Sequence, residues 1–161
     1  MSAQLSPPER RLTPMRVADL PEVLVVEQRA YDFPWTHGNF VDSLHAGYEA
    51  WLLRGAQGAL LGYCIAMAGV DEMHLLNLTV EPAEQGRGHA RWLLDALVEH
   101  CRRHAASTLW LEVRTSNARA RRLYQHCGFR EIGVRRGYYP AAQGRREDAL
   151  VMSLVTGEAA A

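Results

Sequence analysis

Cysteine is scarce in this chain, neither sign of charge predominates, and no long apolar run is present. The three cysteines, Cys64, Cys101 and Cys127, are widely spaced, odd in number and never arranged as C-x-x-C. A disulfide framework or a cysteine-based zinc site is therefore not expected. Lys plus Arg and Asp plus Glu number 18 each in 161 residues, so the formal net charge is zero. A general nucleic-acid binder needs a basic excess to displace counterions, so direct nucleic-acid binding is not expected either. Arginine is nevertheless clustered locally, at 119–122 and 135–146. The first residues lack an apolar signal region, and no segment reaches the roughly 18 apolar residues of a membrane span. These absences point to a reduced, cytoplasmic protein without a membrane anchor, and a monomer is compatible with them. No internal repeat is visible.

What is present is the balance of an ordinary globular domain, 48% apolar and 22% charged. Residues 1–9, with Ser6, Pro7 and Pro8, read as a loose leader, 10–156 as one domain and 157–161 as a short tail. Within the domain, Leu20, Val23, Leu24 and Glu27 recur at helical spacing over 17–30. Phe33-Pro34-Trp35 breaks that helix, and Thr36 can cap a second one. Ala50–Arg54 and Leu60–Ala68 read as a hairpin, and His74–Val80 as a further strand closed by Glu81-Pro82. Gly88–His104 is the longest helix, with Leu93, Leu94, Leu97, Val98 and Cys101 on one face. A strand at 108–113, a helix at 117–127 and strands at 130–136 and 149–155 complete a β-α-α-β-β-β-α-β-α-β-β order. The fold class is α/β, with a mixed sheet and helices layered on it.

The segment Val80-Glu81-Pro82-Ala83-Glu84-Gln85-Gly86-Arg87-Gly88-His89-Ala90-Arg91 joins the end of a strand to the start of the longest helix. Glycine lets backbone N–H groups approach an anion, and the helix N-terminus adds unpaired donors and the positive end of its dipole. Arg87 and Arg91 add charge, so the segment reads as a phosphate or pyrophosphate site, with a simple turn as the alternative. It is not a P-loop, since His89-Ala90 follows Gly88. Nor is it a dinucleotide fingerprint, since Arg91 stands where the third small residue belongs.

Gln85-x-x-Gly88-x-Ala90, preceded by Leu78-Thr79-Val80, resembles the Q-x-x-G-x-G/A signature of the GCN5-related N-acetyltransferase superfamily. The resemblance runs from about Leu12 to Leu154. It implies a splayed, mixed central sheet flanked by helices and an acetyl-CoA donor. It places cofactor contacts on Leu78, Thr79, Val80, Gly86, Arg87, Gly88, His89, Ala90 and Arg91. Glu84 departs from the pattern, because relatives often carry an aromatic residue there.

Acetyl transfer from a thioester to an amine needs a base for the amine and an acid for the departing thiolate. Leu109-Trp110-Leu111-Glu112-Val113-Arg114 sets one carboxylate in an otherwise apolar strand, and Tyr124 follows Asn117 by two helical turns. Read alone, Glu112 is as easily a strand-end carboxylate paired with Arg114, and Tyr124 a core aromatic. The run from Leu109 to Asn117, with Leu123-Tyr124-x-x-x-Gly128-Phe129, is similar to the ribosomal-protein-alanine N-acetyltransferase branch of that superfamily. Glu27-Gln28-Arg29-Ala30, Phe33-Pro34-Trp35, Arg135-Arg136-x-Tyr138-Tyr139-Pro140 and Glu147-Asp148-Ala149 match that branch too. The resemblance implies Glu112 as general base, directly or through a water, Tyr124 as general acid, and Asn117 as a cofactor contact. The implied partner is the N-terminal peptide of a small-subunit ribosomal protein, acetylated on alanine by direct attack.

Tyr138, Tyr139, Phe33 and Trp35 are candidates for two walls around that peptide, the alternative being hydrophobic cover for a hairpin. No cysteine has a paired histidine, which disfavours an acyl-enzyme. His100-x-x-x-His104 has metal spacing without a third ligand nearby, so no metal is expected. Arg119, Arg121 and Arg122 read as a solvated helix face, the alternative being that they steer the ribosomal substrate or the cofactor's adenosine phosphate. Two other functions remain open from the sequence: acetylation of another amine (a lysine, a small amine or an antibiotic), and a non-catalytic acyl-CoA-binding module.

Overall fold

Burial and capping account for each element in the computed structural model, which describes residues 6–157. Strand β1 is Arg11–Pro14. Helix α1, Leu20–Ala30, buries Leu20, Val23, Val26 and Glu27 along one stripe and carries Pro21 in its first turn, where the missing N–H is not needed. Helix α2, His37–His45, starts at a reciprocal cap: Asn39 N–H donates to Thr36 Oγ1, and Thr36 N–H donates to Asn39 Oδ1. Strands β2 (Glu49–Arg54), β3 (Leu60–Ala68) and β4 (Glu72–Val80) follow as a meander, then α3 (His89–Arg103) and β5 (Thr108–Arg114). Helix α4, Ala118–His126, is capped by Asn117 Oδ1, which accepts the Ala120 N–H at 3.1 Å. Strands β6 (Arg130–Pro140) and β7 (Arg146–Val155) close the fold. This is the element order expected from the sequence. Of the expected leader, residues 6–9 have no regular structure; residues 1–5 and 158–161 lie outside the described residues.

The seven strands form one sheet in the order β1-β2-β3-β4-β5-β7-β6. All neighbours are antiparallel except β4 and β5, which run parallel and pair only from Glu72↔Thr108 to Leu75↔Leu111. Beyond that point the two strands separate, and the β5-facing edge of Leu76–Val80 is left open. On the other edge, β4 stays paired with β3 through a bulge at Leu76, where Ile65 faces Asn77 and Ala66 faces Leu75. The bulge flips the side-chain alternation, so His74, Asn77 and Thr79 share one face of the sheet. Gly62 of β3 sits so close to β4 that a Cβ there would lie 2.5 Å from Thr79 O.

Helices α1 and α2 cover one face over a core of Leu20, Val23, Phe40, Leu52, Tyr63 and Ile65. Helices α3 and α4 cover the other, where Leu93, Leu94, Leu97 and Cys101 pack on Leu109, Leu111 and Met152. Each such side chain contributes about 1.5–3 kcal/mol by leaving water. In β5, Leu109, Leu111 and Val113 are buried against α3 and α4, which turns Trp110, Glu112 and Arg114 to the opposite face. Among the described residues no helix is long and apolar enough to cross a membrane.

Three expectations need correction. Strand β6 does not stop at Arg136: it bulges around Gly137, at φ 60°, and continues through Tyr138, Tyr139 and Pro140. Strand β7 accordingly starts at Arg146, three residues earlier than its apolar run suggests. Arg121 is half-buried rather than fully solvated: it donates to Thr115 O at 3.0 Å and pairs with Glu131. His100 and His104 stack on each other, and His100 faces Glu49 and Trp51.

Candidate active site

Where β4 and β5 part, the sheet holds two cavities that share a wall. The first, about 430 Å³, is lined by Leu78, Thr79, Val80, Gly86, Gly88, His89, Ala90, Arg91 and Asn117, with Tyr31 and Tyr124. Its mouth is the turn expected to hold a pyrophosphate. Gly86 and Gly88 adopt φ of 81° and 83°, left-handed values that a residue with a Cβ resists. Gly88 is also the N-cap of α3, so the first amides of that helix open at the turn. A concave glycine turn, an open strand edge and a helix N-terminus together suit an elongated thioester carrying a pyrophosphate. Arg87 stands outside the lining, exposed and paired with Glu84.

The second cavity, about 660 Å³, opens on the α1–α2 side and is lined by Phe33, Trp35, Leu111, Glu112, Arg114 and Tyr139, among others. Leu78, Asn117, Ala120, Tyr31 and Tyr124 line both cavities. Glu112 is nearly buried, with its side chain 6% exposed, and does not pair with Arg114. Its Oε2 lies 2.6 Å from His74 Nε2. Its Oε1 is buried without a hydrogen bond, with the Arg135 guanidinium 3.5 Å away. A buried carboxylate oxygen with no donor is costly unless a ligand or water uses it. The His74 ring is fixed by stacking on Trp110 at 3.6 Å, because the parallel register sets the two residues side by side. Tyr124 is buried from the α4 side, and that burial pushes its phenol well above the ordinary value.

Phe33 and Tyr139 flank the Arg114 guanidinium, 5.4 and 4.5 Å from its carbon. Arg114 itself is held by Pro140 O and Glu147. Glu147 also accepts from Thr115 and from Ser116, and these bonds hold its carboxyl down at about 2. Trp35 packs on Phe40, and its backbone N–H lies 3.4 Å from Glu27 Oε1. Tyr138 is not part of the lining; it stands beside Tyr139 and under Arg135.

The fold also brings here three residues to which the sequence alone assigns no site role: Glu27, Tyr31 and His74. Glu27 is fully buried, and its carboxyl is raised by burial against the pull of three donors: Tyr63 O–H at 2.6 Å, Asn77 Nδ2 at 3.0 Å and Trp35 N–H. It ties the α1–α2 connection to the splayed end of β4. Its signal was a carboxylate on the apolar stripe of α1. Tyr31 O–H lies 2.7 Å from Thr79 Oγ1 and 3.1 Å from Leu78 O, and burial raises its phenol to about 12. His74 gave no signal, because only register places it beside Glu112.

Residues 20–129 match the model of the acetyltransferase (GNAT) family. The chain belongs to that family. It is 38% identical over 143 residues to the [ribosomal protein bS18]-alanine N-acetyltransferase of Escherichia coli K12, covering 89% of this chain and 95% of that one. It is 41% identical over 140 residues to the Salmonella typhimurium protein of the same name, covering 87% and 93%. The crystal structure of the Escherichia coli ribosomal-protein-S18-alanine N-acetyltransferase superposes with a TM-score of 0.85 at 36% identity, covering 94% of this chain and 96% of that one. The sheet that separates between β4 and β5 is thus the GNAT fold, and this acetyltransferase is an acyl-transferring enzyme.

Proposed function

We infer that this acetyltransferase acetylates the N-terminal alanine of a small-subunit ribosomal protein. The observation that carries the reading is the splay itself. It sets Glu112 in a peptide-sized cavity, Tyr124 on the wall shared with the cofactor cavity, and an amide-rich turn at the far mouth. Acetyl-CoA supplies the acetyl group as a thioester. In this reading the turn Gly86–Arg91 holds its pyrophosphate, the open edge of Leu78, Thr79 and Val80 holds the arm, and Asn117 closes the channel. Phe33, Trp35 and Tyr139 enclose the first residue of the peptide, and Tyr138 lies at the rim.

Glu112 takes the proton from the incoming ammonium, directly or through one water, and His74 holds the carboxylate in place. The freed amine attacks the thioester carbonyl, the carbon–sulfur bond breaks, Tyr124 gives its proton to the departing thiolate, and the second proton of the attacking nitrogen passes through water to restore the phenol. Burial keeps the Tyr124 phenol protonated, the form in which a proton donor must stand. Direct attack also fits the cysteines. Burial lifts Cys64 to about 12 and Cys101 to about 11, which keeps them as thiols, and burial raises Cys127 too. On this reading the enzyme works in the cytoplasm on a protein N-terminus.

The test is a panel of peptides incubated with acetyl-CoA and mapped by mass spectrometry. The panel holds Ala-starting peptides, peptides with blocked N-termini and internal lysines, and a polyamine. Acetyl on the α-amine of the Ala-starting peptides is the expected result. Acetyl on lysine or polyamine alone would replace the proposed substrate with another amine.

A further inference from the structure

The glycine turn at the cofactor mouth is stitched shut by side chains, and the closing stitch comes from far away in sequence. Arg10, just ahead of β1, donates from Nε to His89 Nδ1 at 3.0 Å and from Nη2 to Arg87 O at 2.9 Å. His89, the first residue of α3, is buried, and its Nε2 lies 3.2 Å from Glu84 Oε2. Glu84 also holds Arg87 at 3.3 Å. The donor geometry fixes the imidazole: Nδ1 accepts from a guanidinium, so the ring proton is on Nε2 and donates to Glu84. Residues 84, 87 and 89, on both sides of Gly86 and Gly88, are thereby locked to one another. On the other flank Arg119 Nη1 donates to Gln85 Oε1 at 3.0 Å.

We propose that Arg10 is a positioning residue for the cofactor, locking the Gly86–Arg91 turn, through His89 and Arg87 O, in the shape that receives a pyrophosphate. This rests on the cofactor reading of the turn given above. Two physical reasons support it. A turn with two glycines loses more conformational freedom on ordering than any other, so an anion must order it at a cost in affinity unless the protein does so first. The peptide between Arg87 and Gly88 is trans, so holding Arg87 O toward Arg10 turns the Gly88 N–H to the opposite side. Gly88 lines the cofactor cavity and Arg10 does not. Arg10 therefore acts on the ligand through the turn.

The experiment is calorimetric titration of coenzyme A, together with steady-state kinetics on an Ala-starting peptide. It uses the full chain and its Arg10→Met, Arg10→Lys and His89→Leu variants. For Arg10→Met, the Kd of coenzyme A and the KM of acetyl-CoA should rise about tenfold, less than the full weight of a pair of charge-assisted bonds, because those bonds act on the ligand only through the order of the turn. At saturating acetyl-CoA, kcat and the peptide KM should stay within about twofold. Arg10→Lys can reach one acceptor and should recover part of the loss. The double variant Arg10→Met with His89→Leu should lose less than the sum of the two single variants, because they share the Arg10–His89 bond. Unchanged coenzyme A affinity in Arg10→Met overturns the inference, and so do fully additive losses, which would mean that Arg10 does not work through His89. If Arg10→Met does not fold, an Arg10→Lys affinity equal to wild type overturns it equally. A wild type that binds no coenzyme A would overturn the cofactor reading and this inference together.

Discussion

Replacing Glu112 with glutamine removes the proposed base and very little else. The amide has the size of the carboxylate and can still accept from His74, so the stack of His74 on Trp110 and the cavity wall should survive. The side chain is only 6% exposed, so bulk water cannot readily stand in as base. Loss of a positioned general base costs on the order of a thousandfold, or about 4 kcal/mol of the barrier. The amine sets how that penalty varies with pH. An α-amine near pKa 8 is about one-tenth neutral at pH 7 and mostly neutral at pH 9. The ratio of wild-type to variant kcat/KM should therefore shrink by about tenfold between those values. Coenzyme A affinity by calorimetry should not move. The assay is thiol release from acetyl-CoA with an Ala-starting peptide. A Glu112→Gln enzyme as fast as wild type at pH 7 would refute the reasoning, and a penalty that stays constant with pH would refute the base assignment.

Tyr124→Phe deletes a buried hydroxyl that makes no hydrogen bond within the protein, so thermal stability should hold while kcat falls about a hundredfold. Because the folded-state phenol pKa is raised, the acid form persists on the alkaline side, and wild-type kcat should show no descending limb up to about pH 10. Gly62→Ala would place a methyl 2.5 Å from Thr79 O, so β4 must shift. The expected losses are about 1–3 kcal/mol in stability by denaturant titration and a raised KM for acetyl-CoA. Glu147 has a depressed folded pKa of about 2, so its stabilisation is full above the usual carboxylate range and fades as pH falls toward 2. Glu147→Gln should lower the thermal midpoint at pH 7, with the gap closing in acid.

The sequence exposed those parts of the site that depend on neighbours along the chain. The turn from Val80 to Arg91 is legible within one connection, whereas the carboxylate in β5 and the tyrosine of α4 are ambiguous by themselves and stand out only through the family resemblance. The cap at Thr36, the buried stripe of α3 and the order of strands are local in the same sense. What stayed hidden depends on register and on distant contacts. His74 meets Glu112 only because four parallel pairs place it against Trp110. Asn77 and Thr79 share its face only because Leu76 bulges, and no pattern in Leu75-Leu76-Asn77-Leu78 marks that bulge. Arg114 looked like the natural partner of Glu112 two residues away, yet the approach of β6 and β7 offers it Glu147 and Pro140 O instead. Arg10 lies 79 positions from His89, and nothing local to either one predicts the bond.

A crystal of the protein grown with coenzyme A and an Ala-starting peptide tests the central claim most directly. The account predicts two phosphates on the amides between Gly86 and Arg91, a thiol beside Tyr124 O–H, and the peptide amine within one water of Glu112. Phosphates bound elsewhere, or a peptide amine remote from Glu112 with the thiol in place, would contradict it.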